Sequence, residues 1–131
     1  GLVGSEMCIR DSLKIDLLGA TEIGKLKLSG EDALLRHAVP KSLFLDIKST
    51  LTAAGIQDTE IPAKLEGATF GEDIEINGRK LHTLWISSDN DFLPETSGDN
   101  VFYVFGFTEA DLGKDASGKA SRLELPGQVL K

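Results

Sequence analysis

A chain of 131 residues with 14 Lys+Arg against 21 Asp+Glu has a formal net charge of −7, and 40% hydrophobic with 27% charged residues is the balance of a folded domain, not of a disordered chain. No apolar run approaches the ~18 residues that a membrane helix needs, and an acidic chain lacks the basic face with which general nucleic-acid binders displace counterions. Neither a membrane span nor a nucleic-acid partner is therefore expected, while cation binding is compatible with the charge. The length fits one domain or part of one.

The first twelve residues, GLVGSEMCIRDS, hold the only Met (Met7) and the only Cys (Cys8). They have neither a period of 2 or 3.6 nor the basic and apolar regions of a signal peptide. The stretch resembles translated sequencing-adapter sequence of the kind that precedes many metagenomic reading frames. Residues 1–12 are accordingly expected to be a non-native leader that packs against nothing. The rest, Leu13–Lys131, has no Met and reads as a fragment lacking an N-terminal portion. Having no Cys either, it offers no thiol catalysis, zinc-thiolate site or disulfide.

In chain order, Leu13–Leu18 (LKIDLL) alternates as a short strand, and Gly19-Ala20-Thr21 follows as a turn. Ser29-Gly30-Glu31-Asp32 has the form of a capping box before a short helix over Asp32–His37, which Pro40 limits. Lys41–Ile47 (KSLFLDI) predicts a strand with Leu43, Leu45 and Ile47 on one face and Phe44 on the other. Lys48–Ala54 is weakly helical, with Gly55 in the C′ position.

The second half has the stronger strand signals. Leu65–Phe70 (LEGATF), with a possible extension through Asp73–Ile76, is followed by Leu81–Ser87 (LHTLWIS) and Val101–Phe107 (VFYVFGF). Asn77-Gly78 predicts a type I′ hairpin that pairs Ile76 with Arg79, and Glu66 then falls opposite Asp89 unless a bulge near Gly71 shifts the register. Pro94–Asn100 is expected to be a polar loop, and 113–131 a flexible tail. The fold class expected is mainly β, built of antiparallel blade strands with short helical or loop connections, as in a partial β-propeller. No internal repeat is visible, and at 40–50 residues per blade the stretch holds too little chain to close a ring.

Two features carry candidate chemistry. Glu66 sits in an otherwise apolar strand, where an ionised carboxylate needs a partner or a cation unless it faces solvent. Ser88-Asp89-Asn90-Asp91 puts four oxygen-bearing side chains at a strand end, which can ligate a hard cation such as Ca²⁺, although taken alone the stretch reads first as an Asx-rich turn, common where a strand ends. The spacing is not that of an EF-hand, and neither a P-loop nor a dinucleotide fingerprint is present. His82 reads as a surface or packing residue and Trp85 as core. No catalytic residue is singled out.

The stretch Ile61–Leu112 joins Glu66-Gly67, LWISSDNDF and FYVFGF in one order. It resembles the last part of the phytase-like domain family called "esterase-like activity of phytase", and KIDLLGATEI and AVPKSLFLDI resemble the segments before it. The resemblance covers Leu13–Leu112. It implies a β-propeller, extracytoplasmic (periplasmic or secreted), with phosphatase- or esterase-like hydrolysis of a small-molecule phosphate or carboxylic ester. It also implies that Glu66, Asp89, Asn90 and Asp91 point toward a central divalent cation, Ca²⁺. Ligands from other blades are absent, so the chain alone is not expected to be active. The alternative is a non-catalytic propeller binding module with a structural cation. Nothing in the sequence fixes the oligomeric state.

Overall fold

The computed structural model describes residues 11–115 and 117–124. Among them the chain is mainly β, in two antiparallel sheets that do not close into a ring. The first sheet pairs β1 (Asp11–Ile15) with β2 (Lys41–Asp46). Here the expected leader needs correction at its end: Asp11 lies opposite Asp46 and Ser12 opposite Leu45, so the ladder takes in the last two residues of that stretch. Residues 1–10 lie outside the described residues.

Helix α1 (Glu31–Leu35) is shorter than expected and is not capped by Ser29; Gly30, at φ 87°, occupies the N-cap position without a side-chain hydrogen bond. Helix α2 (Ile47–Ala53) starts directly at the end of β2. Asp46 turns the strand into the helix, its Oδ1 accepting the Ser49 N–H at 2.8 Å and its Oδ2 the Ser49 hydroxyl at 2.6 Å, which satisfies one of the unpaired first-turn donors. The other end closes as a Schellman motif. Gly55, at φ 94°, donates to the Thr52 carbonyl and Ile56 donates to the Leu51 carbonyl, as Gly at C′ permits.

The second sheet is a meander of β3 (Leu65–Ile76), β4 (Arg79–Ser88) and β5 (Phe102–Phe107), in that order. The Asn77-Gly78 turn has positive φ at both residues, 51° and 74°, and pairs Ile76 with Arg79, as the hairpin signal requires. The polar loop expected at Pro94–Asn100 contains a single helical turn, α3 (Pro94–Ser97), with Pro at its start.

Alternation along β4 and β5 builds the core. Leu84 and Ile86 of β4, with Phe105 and Phe107 of β5, form one buried cluster with Ile61 and the i, i+4 pair Ile47 and Leu51 of α2. Phe107 is its aromatic hub, meeting Phe44 edge-on at 5.3 Å and Phe70 at 6.0 Å between ring centroids. Trp85 is not part of this core. It lies on the other face of the sheet, 42% exposed, over Gly71, and donates its indole N–H to Thr83 Oγ1 at 3.2 Å. Thr83, only 1% exposed beneath it, donates in turn to the Glu72 carbonyl at 2.9 Å.

The stretch expected to be a flexible tail folds back as far as Glu124. Lys114 bridges Ala120, and Asp115 Oδ1 accepts the N–H groups of Ser117 and Lys119, each at 2.9 Å. The Lys14 ammonium ties this loop to β1 through the carbonyls of Leu112 (2.5 Å) and Lys114 (2.9 Å). Residues 125–131 lie outside the described residues.

Candidate functional site

The register of the β3–β4 hairpin decides where the candidate residues stand. From Ile76–Arg79 the pairing runs without a break to Ile74–Leu81. It then slips by one residue before Gly71–Thr83, as a bulge near Gly71 would require, and again between Gly67–Ser87 and Leu65–Ser88. The second bulge falls on Glu66. Glu66 is exposed and unpaired in the ladder, and the expectation that it stands opposite Asp89 is corrected. Asp89 instead donates its backbone N–H to the carbonyl of Lys64 at 3.2 Å. At Gly67 the Ser87 hydroxyl occupies the place a side chain would take, so a larger residue there would displace it.

Beyond Ser88 the chain turns sharply. Ser88 is buried and closes the base of the loop, its N–H donating to Val101 O and its Oγ accepting from Val101 N–H, both at 3.0 Å. Asp89 Oδ1 accepts the Asp91 N–H at 2.9 Å, and Asn90 Oδ1 accepts the Phe92 N–H at 3.1 Å: two overlapping Asx turns. The Asn90 amide also donates to the Gly98 carbonyl at 2.9 Å. Asp91 and Phe92 both have positive φ, 52° and 60°, a conformation that costs an aromatic residue energy, and Phe92 is 97% exposed at the tip. A cleft of about 740 Å³ opens beside the turn, bordered by residues 58–64 and 96–99 together with Asp89 and Val101.

What these carboxylates surround is an ammonium group. Lys64 pairs with Asp91, and this hydrogen bond, followed by the fields of Asp91, Glu66 and Asp89, holds the lysine above its ordinary pKa. Sequence reasoning passed over Lys64. The signal for it was positional: a residue two before Glu66, just ahead of β3 and next to the Asp-rich turn.

With one oxygen of Asp89 and both polar atoms of Asn90 committed to the turn, and with Lys64 against Asp91, the four residues do not by themselves fit a Ca²⁺ cage, which takes 6–8 oxygens. Among the described residues no group of three or more His, Cys, Asp or Glu is placed to hold a metal ion.

A second polar cluster, also unforeseen, arises from the bulge after Gly71. It brings Asp73 to His82, Nδ1 to Oδ1 at 2.7 Å, and to Lys80 at 2.8 Å. The hydrogen bond from Lys80, and then that from His82, holds the Asp73 carboxyl below the usual carboxylate range. The His82 ring packs on Phe107 at 5.5 Å, so its role here is packing and pairing.

No helix among the described residues is long and apolar enough to cross a membrane. In comparisons with known proteins the chain matches no family model, no curated protein and no solved structure.

Proposed function

We propose that the chain is one sheet unit of an extracytoplasmic β-propeller hydrolase of the phytase-like type, acting on phosphate or carboxylic esters, and that it is inactive alone. The observation that carries this reading is the β3–β4–β5 meander. Its inner face is packed, its outer face also presents apolar groups (Trp85, Phe102 and Val104), and its end carries the Asp-rich turn beside an open cleft. A sheet apolar on both faces suits a blade flanked by neighbours better than a half-solvated antiparallel sheet. Calcium belongs to the proposal only with ligands from other segments and with Lys64 moved off Asp91; no catalytic step is assigned to it.

The test is hydrolysis of phytate and of an aryl ester by the full-length protein, with Ca²⁺ and after chelation, beside the 131-residue chain. The reading expects turnover only in the former; no turnover of either substrate under either condition rejects it. A second reading, a non-catalytic propeller module, is favoured by one observation: Lys64 already neutralises part of the carboxylate cluster, as a structural ion pair would. With the lysine in the place of a cation, turnover would then be absent and chelation would leave thermal stability unchanged.

A further inference from the structure

The two edges of the β3–β4–β5 sheet differ. The β3 edge is interrupted by two bulges and carries Glu66, Glu72, Asp73 and Glu75, the features that keep sheet edges from pairing. The β5 edge has none of these: Phe102–Phe107 (FYVFGF) contains no charge, no proline and no bulge.

Parity identifies its open groups. Ser88 donates to Val101 O, so Ser88–Val101 is a hydrogen-bonded pair. In an antiparallel ladder such pairs recur every second residue, at Ile86–Tyr103, Leu84–Phe105 and His82–Phe107. The N–H and C=O groups of Phe102, Val104 and Gly106 therefore point away from β4. Phe102 and Val104 are 68% and 47% exposed.

We propose that this edge pairs with β5 of a second copy of the chain, antiparallel about a two-fold axis at Val104. This rests on self-complementarity. The three outward residues are evenly spaced, so with Val104 on the axis Phe102 lies opposite Gly106 of the second copy. There Leu81 leans over Gly106, its Cδ1 3.0 Å from where a Cβ would stand, so the ring meets the apolar surface of Leu81 beside the edge glycine. On the core face Tyr103 of the second copy stands opposite Phe105, at the mouth of an apolar groove of about 400 Å³ lined by Phe44, Leu45, Leu51, Leu84 and Phe107. No like charges meet within the strand pair, whereas the net charge of −7 on each chain opposes approach, so association strengthens with salt.

The experiment is sedimentation of the 131-residue chain over a concentration series at low and high salt, with Val104→Lys and Val104→Thr, combined with amide exchange. A dimer is expected for the parent chain and Val104→Thr. Val104→Lys, which places two ammonium groups on the axis, should weaken it by at least about tenfold while its circular dichroism stays that of the parent. The amides of Phe102, Val104 and Gly106 should be protected only in the dimer. A chain monomeric throughout, a dimer indifferent to Val104→Lys, or protection of these amides in the monomer (an edge covered within the chain) each overturns the proposal.

Discussion

Gly71→Ala isolates the contact that shapes the outer face of the sheet. Gly71 is not at positive φ, so alanine brings no backbone penalty, and any cost comes from the methyl group itself. That methyl would lie 2.8 Å from Thr83 Oγ1 and 2.9 Å from Trp85 Cδ1, and closer still to the indole nitrogen. Thr83 is buried and tied to Glu72 O, so it is Trp85, 42% exposed, that must swing out. Overpacking in a closed core costs about 1–3 kcal/mol; with solvent on one side of the ring the expected loss is about 1–2 kcal/mol. Trp85 is the only tryptophan, so urea unfolding followed by its fluorescence reads both the stability and a red shift of the folded-state emission. In a Trp85→Ala background, followed by circular dichroism, the same methyl should cost nothing measurable. Stability within about 0.5 kcal/mol of the parent with unchanged emission, or an equal loss in both backgrounds, would refute the reasoning.

Three further outcomes are expected. Phe107→Ala, which empties the centre of the aromatic cluster, should cost about 3–5 kcal/mol in denaturant unfolding; a loss below about 1 kcal/mol would show that Phe107 is not the hub. Gly78→Ala, which forces a side chain into the left-handed region of the hairpin turn, should cost about 1–2 kcal/mol, and a neutral result would deny the type I′ geometry. Asp46 (hydrogen-bonded first by the Ser49 side chain), Asp73 (by Lys80), Asp111 (by the Thr108 N–H) and Asp115 (by the Ser117 side chain) are all held below their ordinary value of 3.8. Their contribution is therefore complete above that value and is lost as pH falls through the lowered ones. The urea midpoint should hold from about pH 7 to 5 and decline below about pH 4, and a midpoint flat down to about pH 2 would contradict this linkage.

The order of β3, β4 and β5 and the Asn77-Gly78 turn were legible because local signals fix them: β-branched and aromatic runs, and a dipeptide with the required positive φ. The Gly55 stop of α2 was legible for the same kind of reason. The site was less so. A bulge adds one residue to one strand; Gly71 pointed to the first, but nothing marked the second at Glu66, and together they removed Glu66 from Asp89 and brought Asp73 to His82. Lys64 became visible only through that register. Trp85 was expected in the core because apolar character alone does not say which face of a strand is packed; its neighbours Leu84 and Ile86 occupy the packed face, and alternation puts Trp85 on the other. Ser29 did not cap α1 because Gly30 took the position.

The central claim, hydrolysis by the protein to which this sheet belongs, is tested most directly at Asp89. Turnover of a phosphoester and an aryl ester should be measured for the full-length protein and its Asp89→Asn variant, at saturating Ca²⁺ and after chelation. The proposal expects chelation to abolish turnover, and the variant to lose at least about tenfold, the scale on which even an outer-shell partner of a metal matters. Equal turnover in the parent and the variant, unchanged by chelation, would contradict it.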